Sequence, residues 1–352
     1  MGLLRVLLAF SVVAAHLGFP FGFGGRNSVQ IFFVISGYLM SHVLVEKKVY
    51  ERVLHFWINR LFRIFPTYWV VLCVTLIFIL LGVDHEWWTF ISGLPIEALL
   101  ISLAVNLTLF FQDFLIFLGI GPNGAIVFSP SFDSTFRPLH LALLVPQSWS
   151  LALELSFYSL APFILKRKWL ILTLFASSLL LRVVIIGLGV GTNDPWTYRF
   201  FPVEIGTFLA GACLHQFVAP RISKFDVYKS KKLSLTLVIL FAAFAFAFPW
   251  VENNFTRYSL LATLCILGLP ALFNYQGQSR LDNELGKLSY PIYLWHVLVI
   301  SVLNVLIPKA ALSDSTLFFA ATCTITIGIS LATVQLLDKK VDKFRGRFRK
   351  AK

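Results

Sequence analysis

Charge is scarce in this sequence. Asp, Glu, Lys and Arg make up 13% of its 352 residues, against roughly a quarter in soluble domains. It also lacks any polar stretch long enough to fold as a soluble domain. Together these absences exclude an ordinary water-soluble protein. Cysteine is sparse too: Cys73, Cys213, Cys265 and Cys323 stand singly inside apolar runs. That excludes a disulfide framework and a cysteine metal centre, and leaves small buried hydrophobes. No metal is expected elsewhere either. No segment repeats internally, which counts against a repeat-built transporter.

What is present is hydrophobic sequence, 58% of the chain, in recurrent runs near 20 residues. Each is about the length that crosses a hydrocarbon core of roughly 30 Å. The reading is an all-α integral membrane protein of about ten transmembrane helices. They are expected near 3–20, 28–46, 64–82, 144–165, 169–190, 201–218, 233–250, 257–274, 288–307 and 316–337. The first of these reads as a retained helix, since it lacks a sizeable basic N-region and a small-residue cleavage site. One polytopic domain over residues 1–340 and a basic tail over 341–352 describe the organisation.

The net charge of +13 does not point to nucleic acid, because the basic residues sit in short clusters between apolar runs. Lys47, Lys48, Arg52, Arg60 and Arg63 mark one cytoplasmic loop, and Lys166-Arg167-Lys168 a second. Residues 219–232, 275–287 and the tail through Lys350 are likewise basic, so both termini are cytoplasmic. Counts from the two ends agree only if the apolar stretch 96–118 does not cross. It holds Asn106, Gln112 and Asp113, and is expected to be re-entrant or to pack at the outer face. Loop 120–143, with Gly121-Pro122-Asn123-Gly124 and Asp133, is too long for a tight turn, and long loops are often functional.

Ionisable groups at membrane depth are costly and are functional candidates. Arg5 and His16 share the first span. At 100° per residue their separation comes to three turns plus about 20°, so they share a face, about 16 Å apart along the axis. Arg5 reads either as functional or as a snorkelling anchor. His16 and His296 read either as reactive groups or as hydrogen-bonded packing histidines. Glu154 reads as a catalytic carboxylate or one half of a structural ion pair. Two histidines and a carboxylate at similar depth suggest one polar cavity. There a histidine suits base work, and a carboxylate can orient it. Arg60 and Arg63 share a helix face and suit a phosphate, or serve as plain topology charge. Pro66 sets a helix start or a kink.

Five motifs follow in order: Arg5, ten residues, then His16; Phe32-Phe33-Val34-Ile35-Ser36-Gly37-Tyr38 after Gly24-Gly25; and Arg60-Leu61-Phe62-Arg63-Ile64-Phe65-Pro66. The last two are Ser148-Trp149-Ser150-Leu151 with Glu154 and Phe157-Tyr158, and Ser289-Tyr290 with Tyr293-Leu294 and His296. The set resembles acyltransferase family 3, bacterial membrane acyltransferases that decorate O-antigen, exopolysaccharide, lipopolysaccharide, peptidoglycan and some small molecules. Ser28, Gln30, Leu155 and Ser156 depart from residues common in that family.

The resemblance implies acyl-CoA, usually acetyl-CoA, as a cytoplasmic donor. It implies a carbohydrate acceptor, either a polysaccharide or a lipid-linked oligosaccharide. The setting is the bacterial inner membrane, among its lipids and beside glycan assembly machinery. Any extracytoplasmic transfer domain is expected on a separate chain. His16, Arg5 and Glu154 are the expected catalytic residues. Arg60, Arg63 and Ser36 are placed on the donor side, and His296, Tyr290, Tyr293 and Trp149 on the acceptor side. In one route His16 deprotonates a hydroxyl that attacks the thioester directly. In the other an acyl-enzyme forms on His16 or Ser36. A secondary transporter, or an acyltransferase with a small-molecule acceptor, is the rival reading.

Overall fold

A computed structural model describes residues 1–82, 85–131, 137–191, 194–276, 279–307 and 315–349. Asp133 and Lys350 lie outside them. In chain order the first helices are α1 (Gly2–His16), α2 (Gly25–Ser41), α3 (Val53–Leu80), α4 (His85–Ser92), α5 (Ile96–Thr108), α6 (Gln112–Leu115), α7 (Trp149–Ile164) and α8 (Lys168–Gly187). Then come α9 (Phe201–Cys213), α10 (Ala219–Ile222), α11 (Lys231–Ala247), α12 (Asn254–Gln276), α13 (Arg280–Leu306), α14 (Ser315–Thr333) and α15 (Lys339–Gly346).

The protein is an all-α integral membrane protein with one small sheet. Among the described residues, eight helical segments are long and apolar enough to cross a membrane, including Gly25–Glu46, Val53–Leu80, Lys168–Gly187 and Arg280–Leu306. Two of the ten expected spans are shorter helices: α1 has 15 residues and α7 has 16. On α8, Leu180 and Val183 are each 65% exposed, the face of a helix whose solvent is lipid. Pro66 is not a helix start, since α3 begins well before it at Val53.

Stretch 96–118 does not form one continuous helix. It breaks at Leu109 and Phe111, which take φ of 62° and 66°. Its polar residues explain why. Asn106 Nδ2 donates to Ser102 O and Ala142 O, and Asn106 Oδ1 accepts from Leu144 N. Ser148 Oγ donates to Gln112 Oε1 at 2.8 Å, and Tyr68 Oη donates to Asn106 O at 2.6 Å. All of these bonds except that to Ser102 O, which lies within α5, would be lost to lipid if the segment crossed alone. Loop 120–143 does contain a tight turn after all. Asn123-Gly124, with Gly124 at φ 76°, closes a hairpin between β1 (Leu118–Ile120) and β2 (Ile126–Phe128). Strand β3 (Arg137–Pro138) pairs on the other side of β1.

The chain divides into two compact units. Unit 1 is Met1–Lys47 with Phe208–Lys339, and unit 2 is Lys48–Thr207 with Lys340–Lys352. In unit 1, α1 packs along α13. Asp282, in the first turn of α13, accepts from Gly2 N and Leu3 N at 2.8 Å each. A carboxylate thus caps the open amides and positive end of α1. A Cβ on Gly2 would fall 1.7 Å from Asp282 O, so only glycine fits. The α2–α9 contact uses the same device. A Cβ on Gly37 would meet Phe208 O at 1.8 Å, and one on Gly211 would meet Val34 O at 1.9 Å. Small residues let backbones touch where lipid gives helices little hydrophobic reason to associate. In unit 2, Asp113 is buried and accepts from the amides of Phe114 and Phe201. Burial pushes its carboxyl up from 3.8 to about 6.

Two outcomes follow. Gly2→Ala is expected to lower the melting temperature of the detergent-solubilised protein sharply, because the clash is with main chain and cannot be relieved by a rotamer. Asp113 favours folding most when protonated, so its contribution is lost as pH rises through about 6. Asp113→Asn is therefore expected to raise the melting temperature more at pH 8 than at pH 5; equal effects at both would show that Asp113 is not protonated on folding.

Candidate active site

Unit 1 brings two of the sequence-chosen histidines together. His16 is the last residue of α1 and is exposed at the helix end. His296 is fully buried on α13, and the two ring centroids are 5.0 Å apart. This pairing follows from the α1–α13 packing described above. His296 Nδ1 lies 2.7 Å from Tyr293 O. A carbonyl only accepts, so Nδ1 carries the proton and Nε2 holds a lone pair in the neutral ring. Among the described residues, that buried Nε2 has no hydrogen-bond partner.

Tyr293 is buried, with its ring 5.9 Å from His296 and 6.3 Å from Phe32. Tyr290, one turn earlier, is half-buried. Ser36 is buried on α2. Arg5 is half-buried on α1, toward the opposite end from His16.

Unit 2 holds the arginines and Glu154. Tyr158, one turn on in α7, donates its hydroxyl to Glu154 Oε1. Arg60 feels the Glu154 charge and lies over the rings of Phe56 at 5.8 Å and Tyr158 at 5.9 Å. Its Nη2 donates to Tyr50 Oη at 3.0 Å and to Asn59 Oδ1 at 2.7 Å. Arg345 of α15 meets the same oxygen: Nη2 donates to Asn59 Oδ1 at 3.2 Å and Nε to Asn59 O at 3.1 Å. Asn59 Nδ2 returns a bond to Arg345 O at 2.9 Å. Two guanidiniums therefore converge on one neutral oxygen, and Arg63 acts on Arg345 as a third nearby positive charge. Asp342 answers Arg345 and Glu154 answers Arg60, leaving an excess of positive charge suited to an anion.

Trp149 is buried, edge-on to Tyr198 at 4.8 Å, with the Arg199 guanidinium 4.6 Å from its ring centre. Asp194 pairs with Arg199 at 3.0 Å. Trp149 is therefore part of a packed aromatic–cation cluster. Glu154, expected to steady His16, has the Tyr158 hydroxyl and the charge of Arg60 among its partners.

Comparison with known proteins decides the family. The model of an acyltransferase domain, acyltransferase family 3, matches residues 1–335. The chain belongs to acyltransferase family 3. A peptidoglycan O-acetyltransferase of Listeria monocytogenes is 28% identical over 330 residues, covering 85% of this chain and 49% of that protein. An O-acetyltransferase of Staphylococcus aureus is 28% identical over 327 residues, covering 86% and 50%. An uncharacterized protein of Aquifex aeolicus is 28% identical over 208 residues, covering 57% and 89%. The chain thus spans about half the length of the two named acetyltransferases. No solved structure matches.

Sequence reasoning missed Tyr50, Asn59 and Arg345 as site residues. Arg345 sits in the tail, where its charge reads as topology alone, and Asn59 carries no charge to draw notice. The signal for Tyr158 was present: it stands four residues after Glu154, the spacing at which helix side chains meet. If the arginine cluster is an anion site, inorganic phosphate should raise the melting temperature of the wild type. The gain should vanish in the Arg60→Ala/Arg345→Ala double variant; an undiminished gain in that variant would place the anion elsewhere.

Proposed function

We propose that this protein transfers an acetyl group from cytoplasmic acetyl-CoA to a hydroxyl of a cell-surface glycan, at the bacterial cytoplasmic membrane. The observation that carries the reading is the His16–His296 pair, 5.0 Å apart, in a chain that belongs to acyltransferase family 3. The names of two relatives support O-acetyl transfer and make peptidoglycan the first acceptor to test.

His16 is exposed at the end of its helix, where a hydroxyl can reach it, and takes the acceptor proton. The freed oxygen attacks the thioester carbonyl carbon. The carbon–sulfur bond breaks, and the CoA thiolate leaves with the proton returned by His16. His296 is a positioning residue: its Nδ1–H is committed to Tyr293 O, so its other nitrogen is an acceptor for an imidazole N–H. Arg60, Arg63 and Arg345 receive the donor phosphates, and Glu154 with Tyr158 holds Arg60 in place. Arg5 and Ser36 serve the donor path, and Tyr290, Tyr293 and Trp149 the acceptor path. The glycan reaches the enzyme as a polymer or a lipid-linked precursor, beside the machinery that assembles it.

The test is mass spectrometry of surface glycans from cells with wild type, His16→Ala or no copy of the protein. Wild type should add an acetyl mass that His16→Ala lowers by roughly 10²–10⁴-fold, the usual loss on removing a general base. Identical glycans in all three would overturn the proposal. With purified enzyme, Arg345→Ala should raise KM for acetyl-CoA by roughly 10–100-fold and leave kcat nearly unchanged, as expected when ground-state and transition-state binding fall together.

A further inference from the structure

A second histidine cluster in unit 1 has no part in the chemistry above. It sits where α2 and α9 both end in wide turns. At His42–Glu46 the helix loosens to a π turn, with Lys47 N donating to His42 O at 2.9 Å. At Leu214–Val218 it does so again, with Ala219 N reaching back to Leu214 O. Pro220 explains the second case, since it brings no N–H to continue the α pattern. Single π turns inside α-helices are rare and concentrate at functional sites.

These turns aim three donors at one point. His42 Nδ1 lies 3.0 Å from Glu46 Oε2, and His215 Nε2 lies 2.9 Å from the same oxygen. All three donor atoms fall within 4.8 Å of one another. A tetrahedral ion with bonds of about 2.0–2.1 Å holds its donors roughly 3.3 Å apart, so admitting one widens the two gaps to Glu46 slightly and draws His42 and His215 toward each other.

The rings are already held from behind. Ser41 Oγ is 2.9 Å from His215 Nδ1, and Gln216 Nε2 donates to Ser41 Oγ at 2.9 Å. Tyr38 stands edge-on to His215 at 5.1 Å, and Phe273 to His42 at 4.6 Å. Such outer partners orient metal-binding imidazoles and fix their tautomers. Glu46 is 54% exposed while His215 is 8% exposed, which leaves one open side for an ion and a water ligand.

We propose that His42, Glu46 and His215 bind one divalent transition-metal ion of the zinc class, with water as the fourth ligand. Two imidazoles and a single carboxylate favour zinc-like ions over calcium or magnesium, which prefer oxygen. Binding takes both histidines as neutral ligands, each keeping one proton on the nitrogen that does not face the ion. The His215 proton moves from Nε2 to Nδ1 and donates to Ser41 Oγ, and the His42 proton moves from Nδ1 to Nε2, which frees both facing lone pairs for the ion. The ion clamps the ends of α2 and α9, the two helices whose backbones touch at Gly37 and Gly211.

The test uses the whole detergent-solubilised chain, with its affinity tag removed and its metal stripped by chelator. Titration with Co²⁺ should give a visible absorption band that saturates at one equivalent and is displaced by Zn²⁺. Zn²⁺ should also raise the melting temperature. Glu46→Gln, on the exposed arm of the cluster, should remove the band while retaining the metal-free melting temperature. Ser41→Ala should weaken Co²⁺ binding by roughly 10–100-fold, the usual cost of losing an outer partner. His140→Gln, in unit 2 and not a member of the cluster, should leave the band intact. A folded wild type without the one-equivalent band would overturn the proposal, as would a band that survives in both Glu46→Gln and a His42→Gln/His215→Gln variant.

Discussion

Glycine at position 2 lets α1 lie directly on the Asp282 carbonyl, and the Asp282 carboxylate caps the two amides that this contact exposes. The fit fixes both the height and the rotation of α1 against α13. Because α1 is only 15 residues long, its far end is the next fixed point, and that end is His16. The ring then lies beside His296 with no contact of its own needed to select the register. A hydrogen-bonded cap is called for here because Gly2 is buried and its amide is out of reach of water. The exposure of His16 follows from the same geometry, since a side chain at the last turn of a short helix is not covered by the turns beyond it.

Unit 2 solves a different problem, which is how to hold positive charge without neutralising it. Arg60 has rings below it, a phenol and an amide oxygen at its tips, and a carboxylate acting at longer range. Neutral acceptors orient a guanidinium but leave its charge standing. Had Asn59 been aspartate, Arg60 and Arg345 would each have found a partner, and little attraction for an anion would have remained. The shared amide oxygen is thus better suited to a binding site than to a structural ion pair. Two guanidiniums sharing one neutral oxygen give up the stabilisation that a paired carboxylate would add.

Membrane character, the longer spans and the behaviour of stretch 96–118 were all legible in the sequence, because each rests on local hydropathy and on charge counts. Asn106 and Gln112 signalled that their segment needs protein partners. Helix lengths were less legible. The run 3–20 stays mostly apolar past His16, yet α1 stops there, and Pro66 lies inside α3 because the helix is already established upstream. The hairpin at Asn123-Gly124 carried its own turn signal but lay hidden in a loop judged by its overall length. His16 and His296 stood out as ionisable groups in apolar runs. Arg345 and Asn59 did not, since their meeting depends on α15 returning to α3, and no spacing rule reports a contact across most of the chain.

The two histidine clusters show why residue type alone is a weak guide to role. His296 commits one nitrogen to a backbone carbonyl, so its remaining nitrogen is a buried acceptor and its ring is neutral in that bond. His215 turns one nitrogen to a hydroxyl and the other to a carboxylate that it shares with His42. A carbonyl partner fixes a tautomer without adding charge. A shared carboxylate draws two imidazoles around one oxygen and supplies the negative charge that a cation needs. The first arrangement suits moving a proton, the second suits holding an ion, and the difference lies wholly in what the other nitrogen touches.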